Sequence, residues 1–352
     1  MSTPLIPVGF LPGASPGKTV NPVVLPDNEV LQDYMVEWWY FISFLDGPSS
    51  ADRFAVEMTA ARLTLSPLRA IDTVYIAIID RVAQQYVSAD RQSMSAYQFG
   101  LNRLSMRFEP SFGQPGAWCI DGWTSPALRY EISGAFAVPV SERSALEQRA
   151  IELTMTDGVS YQPLKHGPTL NGVVPFFGLD MGYYSRTRLA VAGNLKLDDR
   201  IVPVTGSGWM DHEWGTADLP GSRWTFCAIQ LDSGIDLCAY RVDRRFEGTV
   251  GPTYGYRISS GGVELATSAT IVQTGLIWPE YGYPLEYDVT LNFVMGGPLT
   301  VRVTADFKEQ RRVPTGEIAM PFVTLWEGAA TVTNPTTHAT IGRAFLEMGG
   351  YE

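Results

Sequence analysis

The chain has 352 residues, of which 45% are hydrophobic, 12% aromatic and only 18% charged, with a net charge of −11. That is apolar enough for a large core, and the many rings suggest a pocket as well. No basic run exceeds two residues (Arg244–Arg245, Arg311–Arg312), which excludes nucleic acid as a partner, because phosphate neutralisation needs clustered Lys and Arg.

The first 28 or so residues are Pro-rich and read as an extended arm. They contain no Lys/Arg-rich start and no unbroken apolar run, so no secretory leader is expected and the chain reads as cytoplasmic. No run approaches 18 apolar residues, so stable membrane insertion is not expected either. Strand signals follow. "RFAVEMTAARLTL" sets Phe54, Val56 and Met58 on one side and Ala55, Glu57 and Thr59 on the other. "TVYIAIIDRV" is β-branched and apolar throughout, as in a strand buried on both faces. The best helical candidate, Ser144 to Ile151, is short and runs into the strand-like "IELTMTD". A turn-rich stretch from Gly215 to Gly221 marks a boundary between domains 1–215 and 216–352. Beyond it come hairpins turning at Asp232-Ser233-Gly234, Gly261-Gly262 and Gly296-Gly297. Hairpin upon hairpin, with 34 Gly and 24 Pro, predicts an all-β chain of antiparallel barrels or sandwiches.

The three cysteines, Cys119, Cys227 and Cys238, are too few and too odd in number for a disulfide framework and suit a reduced compartment. Cys227 and Cys238 flank a hairpin turn, where a bridge is geometrically conceivable. No zinc spacing, HExxH, GxSxG, GxGxxG or P-loop occurs, so no cofactor is implied.

The densest chemistry lies in "GSGWMDHEWG", Gly206 to Gly215. On a strand, Trp209, Asp211 and Glu213 share one face, and Met210, His212 and Trp214 the other. An Asp-His-Glu run split between two faces cannot gather round a metal. His212 beside Trp214 is either a proton or hydrogen-bond donor facing an apolar cavity, or a core histidine satisfied by its neighbours; residue types alone favour the second. In "VEWWYF" Glu37 and Trp39 share one face, Trp38 and Tyr40 the other. Glu37 is either a buried acid with a raised pKa or an ion-paired edge residue. Weaker candidates are His166 in a loop, Trp224 at a strand start, Tyr240 and Asp243 at a strand end, and His338 in a surface loop.

"EWWYF", "MGYYSRTRLAVAGNL", "VTGSGWMDHEWG" and "GRAFLEMGGYE" stand in an order that resembles the carotenoid 1,2-hydratase (hydroxyneurosporene synthase) and AttH-like family, over about Glu37 to Tyr351. The resemblance implies two tandem lipocalin-like β-barrel or sandwich domains with a ligand cavity in or between them. It implies a site built on His212 and Trp214. Tyr240 and Asp243 are the nearest counterparts of the family's downstream Tyr and acid, at a wider spacing. With these go Asp211 and Glu37 as further catalytic candidates, and Trp38, Trp39, Tyr40, Trp209, Trp224 and His166 as ligand contacts. The family spans hydratases of acyclic carotenoids, fungal decalin-forming Diels–Alderases and proteins of no known activity. The implied ligand is therefore a hydrophobic polyene small molecule. An acidic surface without a basic amphipathic anchor is unsuited to membrane-held carotenoids. The expectation is a cofactor-free cyclase performing a [4+2] closure, with hydration of a C=C bond or non-catalytic lipophile binding as alternatives.

Overall fold

In the computed structural model, which describes residues 19–66, 69–94, 96–98, 103–110, 116–125, 127–139, 146–158, 161–177, 179–217, 221–275, 277–312 and 325–351, the alternating runs form strands. The first set is β1 (Val36–Asp46), β2 (Arg53–Ser66), β3 (Arg69–Asp80), β4 (Gln85–Ser93), β5 (Leu104–Phe108), β6 (Trp118–Trp123), β7 (Arg129–Pro139), β8 (Leu146–Asp157), β9 (Leu164–Lys165), β10 (Val173–Phe176), β11 (Leu179–Leu197) and β12 (Arg200–Gly215). They build one antiparallel sheet in the order β4-β3-β2-β1-β12-β11-β8-β7-β6-β5, with β9 and β10 paired to β11. Its two edge strands, β4 and β5, curl into contact. The enclosed core holds Phe54, Val56 and Met58 from β2, with Val74, Ile76 and Ile78 from β3.

The second set is β13 (Ser222–Leu231), β14 (Asp236–Arg244), β15 (Thr253–Ser259), β16 (Gly262–Leu265), β17 (Ser268–Gln273), β18 (Ile277–Trp278), β19 (Tyr283–Pro284), β20 (Glu286–Phe293), β21 (Gly297–Ala305), β22 (Arg311–Arg312), β23 (Leu325–Thr333) and β24 (Thr340–Gly349). Its sheet runs β16-β15-β14-β13-β24-β23-β21-β20-β17 and curls round its own core, which includes Cys227, Ile229, Val289 and Trp326. The chain is thus all-β, two lipocalin-like antiparallel barrels in tandem, the sheets dividing between Gly215 and Ser222. The three expected hairpins turn where the Gly signals lie. The helical expectation at Ser144 to Ile151 is corrected. Leu146 to Ile151 begins β8, because pairing with β7 and β11 outweighs weak helical propensity, and Ser144 lies outside the described residues. No helix among the described residues is long and apolar enough to cross a membrane.

In each sheet the first strand pairs with the last, β1 with β12 and β13 with β24. These closing strands carry one barrel against the other. A third apolar cluster fills the space between them, with Tyr40, Ile42 and Trp209 from the first sheet against Phe226, Tyr240 and Phe345 from the second. Polar ties flank it. Asp236, fully buried, accepts from Thr187 Oγ1 at 2.8 Å and Arg188 Nε at 2.9 Å, and Gln230 Nε2 donates to Thr187 O at 2.7 Å. Cys227 and Cys238 sit on neighbouring strands but face opposite ways, one into the second core and one into the interface, and both thiols are free. In the first barrel Trp214 lies flat over Gly182, where a Cβ would stand 2.1 Å from the indole. In the second, Trp224 covers Gly349 in the same way, at 2.4 Å.

Candidate active site

The alternation of β12 sorts the motif onto two faces with different fates. His212 and Trp214 point into the first barrel's interior and are fully or almost fully buried. His212 Nδ1 lies 3.0 Å from Asn28 O, a pure acceptor, so this nitrogen carries the hydrogen. Nε2 lies 2.8 Å from Glu37 Oε1. The ring stacks on Trp39 at 4.6 Å and tilts against Trp214 at 4.7 Å. Glu37 also accepts from Gln32 N at 2.9 Å and Asp33 N at 3.2 Å. Burial raises the Glu37 carboxyl from its ordinary range, and its bonds to His212 and these amides oppose that rise.

The opposite face of β12 meets a cavity of about 190 Å³ between the two sheets. Its walls are mostly apolar, with Val36, Val174, Phe176, Met181, Phe226 and Val242 among them. Carboxyls interrupt that wall, among them Asp211, Glu213 and Glu347. Trp38 on β1 is directly opposite Glu213 on β12 and hydrogen-bonds it. Trp224 on β13 donates Nε1–H to Glu347 Oε1 on β24 at 2.7 Å. Each sheet therefore presents an indole from its first strand and a carboxyl from its last. Burial pushes Glu213 well above the usual carboxylate range, and the charges of Asp211 and Glu347 push it further. Burial and the neighbouring Glu327 raise Glu347 to about 8.

Asp211 differs. Burial raises it to about 7, opposed by two donors, the Ser185 hydroxyl and Trp209 Nε1 at 2.7 Å. These favour the anion, so Asp211 ionises before Glu213. Tyr40 lines the same cavity, and among the described residues its buried hydroxyl has no hydrogen-bond partner. At the far end Glu57 from β2 and Glu327 from β23 form a carboxyl pair across the interface. Burial raises both, Glu327 being raised further by Glu57. The guanidinium of Arg312 lies beside them, 4.0 Å over the Tyr75 ring. Among the described residues no group of three or more His, Cys, Asp or Glu is placed to hold a metal ion.

The profile of AttH-like proteins matches residues 16–351 of this sequence. The chain belongs to the AttH-like family. A protein assigned as AttH in Nitrosomonas europaea is similar over 97% of this chain and 99% of its own, at 20% identity and a TM-score of 0.72. Kievitone hydratase from Nectria haematococca is similar over 96% and 97%, at 14% identity and a TM-score of 0.64. CghA, solved with Sch210972, is similar over 90% and 89%, at 10% identity and a TM-score of 0.53. At these identities the likeness is one of fold. No curated protein sequence matches the chain.

Within this AttH-like site the sequence-selected residues divide. Asp211, Trp38, Tyr40, Trp224 and Tyr240 line the cavity, and Glu37 touches it while bonding His212. His212, Trp214 and Trp39, expected on the cavity, lie in the first barrel's core instead, because the strand face bearing them is the one the barrel encloses. Trp209 lies behind Asp211. Asp243 is held by Arg223 Nη2 and Arg241 Nε, each at 3.2 Å. His166 bonds Ser185 rather than lining the cavity. His338 sits in an exposed loop at positive φ. Glu213, Glu347, Glu327, Glu57 and Ser185 were not selected. Their signal is a polar residue in an apolar run, as in "FLEMGG", "LWEGAA", "AVEMTA" and "GYYSRT". This placement predicts that an apolar ligand quenches the emission of Trp38 and Trp224. Quenching should fall by about half in Trp38→Phe or Trp224→Phe and stay unchanged in Trp214→Phe, as read in a fluorescence titration.

Proposed function

We propose that the protein is a cofactor-independent enzyme that adds water across a C=C bond of an apolar small molecule held between its two barrels, here taken as domains 1–215 and 216–352. The observation that carries this reading is the separation of roles among the cavity carboxyls. Glu213, with one indole donor and two repelling acids, stays protonated, whereas Asp211, with two donors, ionises near neutrality. Carboxyls whose environments push them apart in this way make an acid and base pair. Protonated Glu213 gives its proton to an alkene carbon. Trp38 and Trp224 line the same cavity, and their indoles stabilise the resulting cation. Ionised Asp211 takes the proton of the attacking water. The volume, below the roughly 300–1,000 Å³ usual for ligand sites, suits a compact ligand or the reactive end of a longer one. The hydratase that shares the fold supports the reading, and its name alone does not choose the substrate.

Cyclisation of a polyene is the second reading, favoured by one feature. A neutral Glu213 or Glu347, or the partnerless Tyr40 hydroxyl, can donate a hydrogen bond to a dienophile carbonyl. Reaction of a panel of isoprenoid alkenes in deuterated, oxygen-18-labelled water separates the two. Hydration puts one C–D bond and one labelled oxygen in the product. An isomeric product lacking both labels supports cyclisation instead, and binding without turnover supports a carrier.

A further inference from the structure

Asp211 is the cavity end of a buried chain that no step above uses. The Ser185 hydroxyl, directly across from Asp211 on β11, donates to Asp211 Oδ1. His166 Nε2 lies 2.6 Å from Ser185 Oγ. All three side chains are at most 1% exposed. Neither Ser185 nor His166 lines the cavity. At the far end His166 Nδ1 is buried without a hydrogen-bond partner among the described residues, and the ring is stacked on Tyr183 at 3.5 Å.

We propose that Ser185 and His166 form a buried proton wire that ties the protonation of Asp211 to the tautomer of His166. Both are positioning and relay residues, since neither reaches the ligand. The proposal rests on the hydration reading for its use, and on the hydrogen-bond geometry for its existence.

The chain has two directions. With Asp211 ionised, Ser185 O–H donates to Asp211, and His166 Nε2–H donates to Ser185 Oγ. A proton taken up at Nδ1 turns it round. The Nε2–H bond breaks and its proton moves to Oγ, while the former hydroxyl proton moves to Asp211. The result is Asp211 O–H donating to Ser185, Ser185 O–H donating to Nε2, and an Nδ1–H bond. One proton enters at Nδ1, one appears on Asp211, and the imidazole is neutral before and after.

The surroundings keep His166 neutral in both directions. Burial holds the His166 pKa well below its ordinary value, so the imidazolium is passed through and not populated. The groups facing His166 are Ser185, Tyr183, Tyr240 and Tyr256, all neutral. Those facing Asp211 are Tyr40 from β1, Tyr183 and Ser185 from β11, Trp209 and Glu213 from β12, Cys238 from β14 and Glu347 from β24. None of these is a cation that would pin Asp211 as the anion.

The two directions differ in the tautomer of His166, and nitrogen-15 NMR of the histidine-labelled full chain reads it without any ligand. The chain has three histidines, so a His166→Gln sample identifies the signal by subtraction. His166 should be the Nδ1–H tautomer near pH 5 and the Nε2–H tautomer near pH 9, inverting as Asp211 titrates at about 7. In Ser185→Ala the inversion should vanish. In Asp211→Asn, which has no proton to gain or lose, a single tautomer should persist at every pH, which keeps the test available should Ser185→Ala not fold. One tautomer at both ends of the titration in the wild type, an accumulated imidazolium, or an inversion that survives in either variant would overturn the wire. A product without deuterium in the labelled-water experiment defeats the hydration reading and leaves this result intact, and a failed inversion leaves hydration standing.

Discussion

His212→Ala is expected to lower the free energy of unfolding by about 3–5 kcal/mol while leaving the activity of each folded molecule near that of the wild type. The imidazole is wholly buried and has no surface on the cavity. It holds Glu37 at 2.8 Å and the Asn28 carbonyl at 3.0 Å, and it fills the gap between Trp39 and Trp214. Truncation leaves a carboxyl and a carbonyl without their shared imidazole partner in a low-dielectric interior and opens a void between two indoles. His212→Gln keeps a donor but cannot reach both partners, so its loss should be smaller, about 1–3 kcal/mol. Urea titrations of the two variants measure the difference. The same contact fixes the segment before β1, since Asn28 lies in the short turn Asp27–Glu29 and Glu37 caps the amides of Gln32 and Asp33. A His212→Ala protein that is as stable as wild type but inactive would return the residue to the chemistry that the family resemblance implies for it.

The period-two alternation of "GWMDHEWG" placed Asp211 and Glu213 opposite His212 and Trp214 from residue order alone, because strand geometry is local. Which face meets the cavity is not local. It depends on β1 and β12 being the two strands that carry one barrel against the other, and that follows from pairings between residues up to 179 positions apart, such as Val36 with Gly215. The hairpins were legible for the same local reason, through Asp232-Ser233-Gly234 and the Gly pairs. Glu347 was hidden differently. It lies in a terminal motif that reads as a plain buried strand, and it gains meaning only when Trp224, 123 residues earlier, places its indole N–H upon it. His166 read as an ordinary loop residue, since nothing near "PLKHG" announces that Ser185 lies across from it.

Glu213→Gln is expected to reduce kcat by about 10²–10⁴-fold with little change in ligand affinity or stability. The carboxyl is already neutral in the folded protein, because burial, Asp211 and Glu347 all raise it. Glutamine keeps its shape and its acceptor for the Trp38 indole, so what is lost is the transferable proton. This is the reverse of His212→Ala, where stability falls and chemistry is kept. The pH profile supplies the sign. Asp211 works as the anion, so the wild-type rate should rise with pH through about 7 as that carboxyl ionises. Glu213 works as the acid, so the rate should fall again only at higher pH, where Glu213 loses its proton. Asp211→Asn should abolish the rising limb, and Glu213→Gln the falling one. If the two limbs are exchanged, with the falling limb lost in Asp211→Asn, Asp211 is the proton donor and Glu213 serves the water. If both variants keep wild-type rates at every pH, neither carboxyl takes part, and the cavity acts through shape and the hydrogen bond of Tyr40 or Glu347, as a pericyclic closure requires.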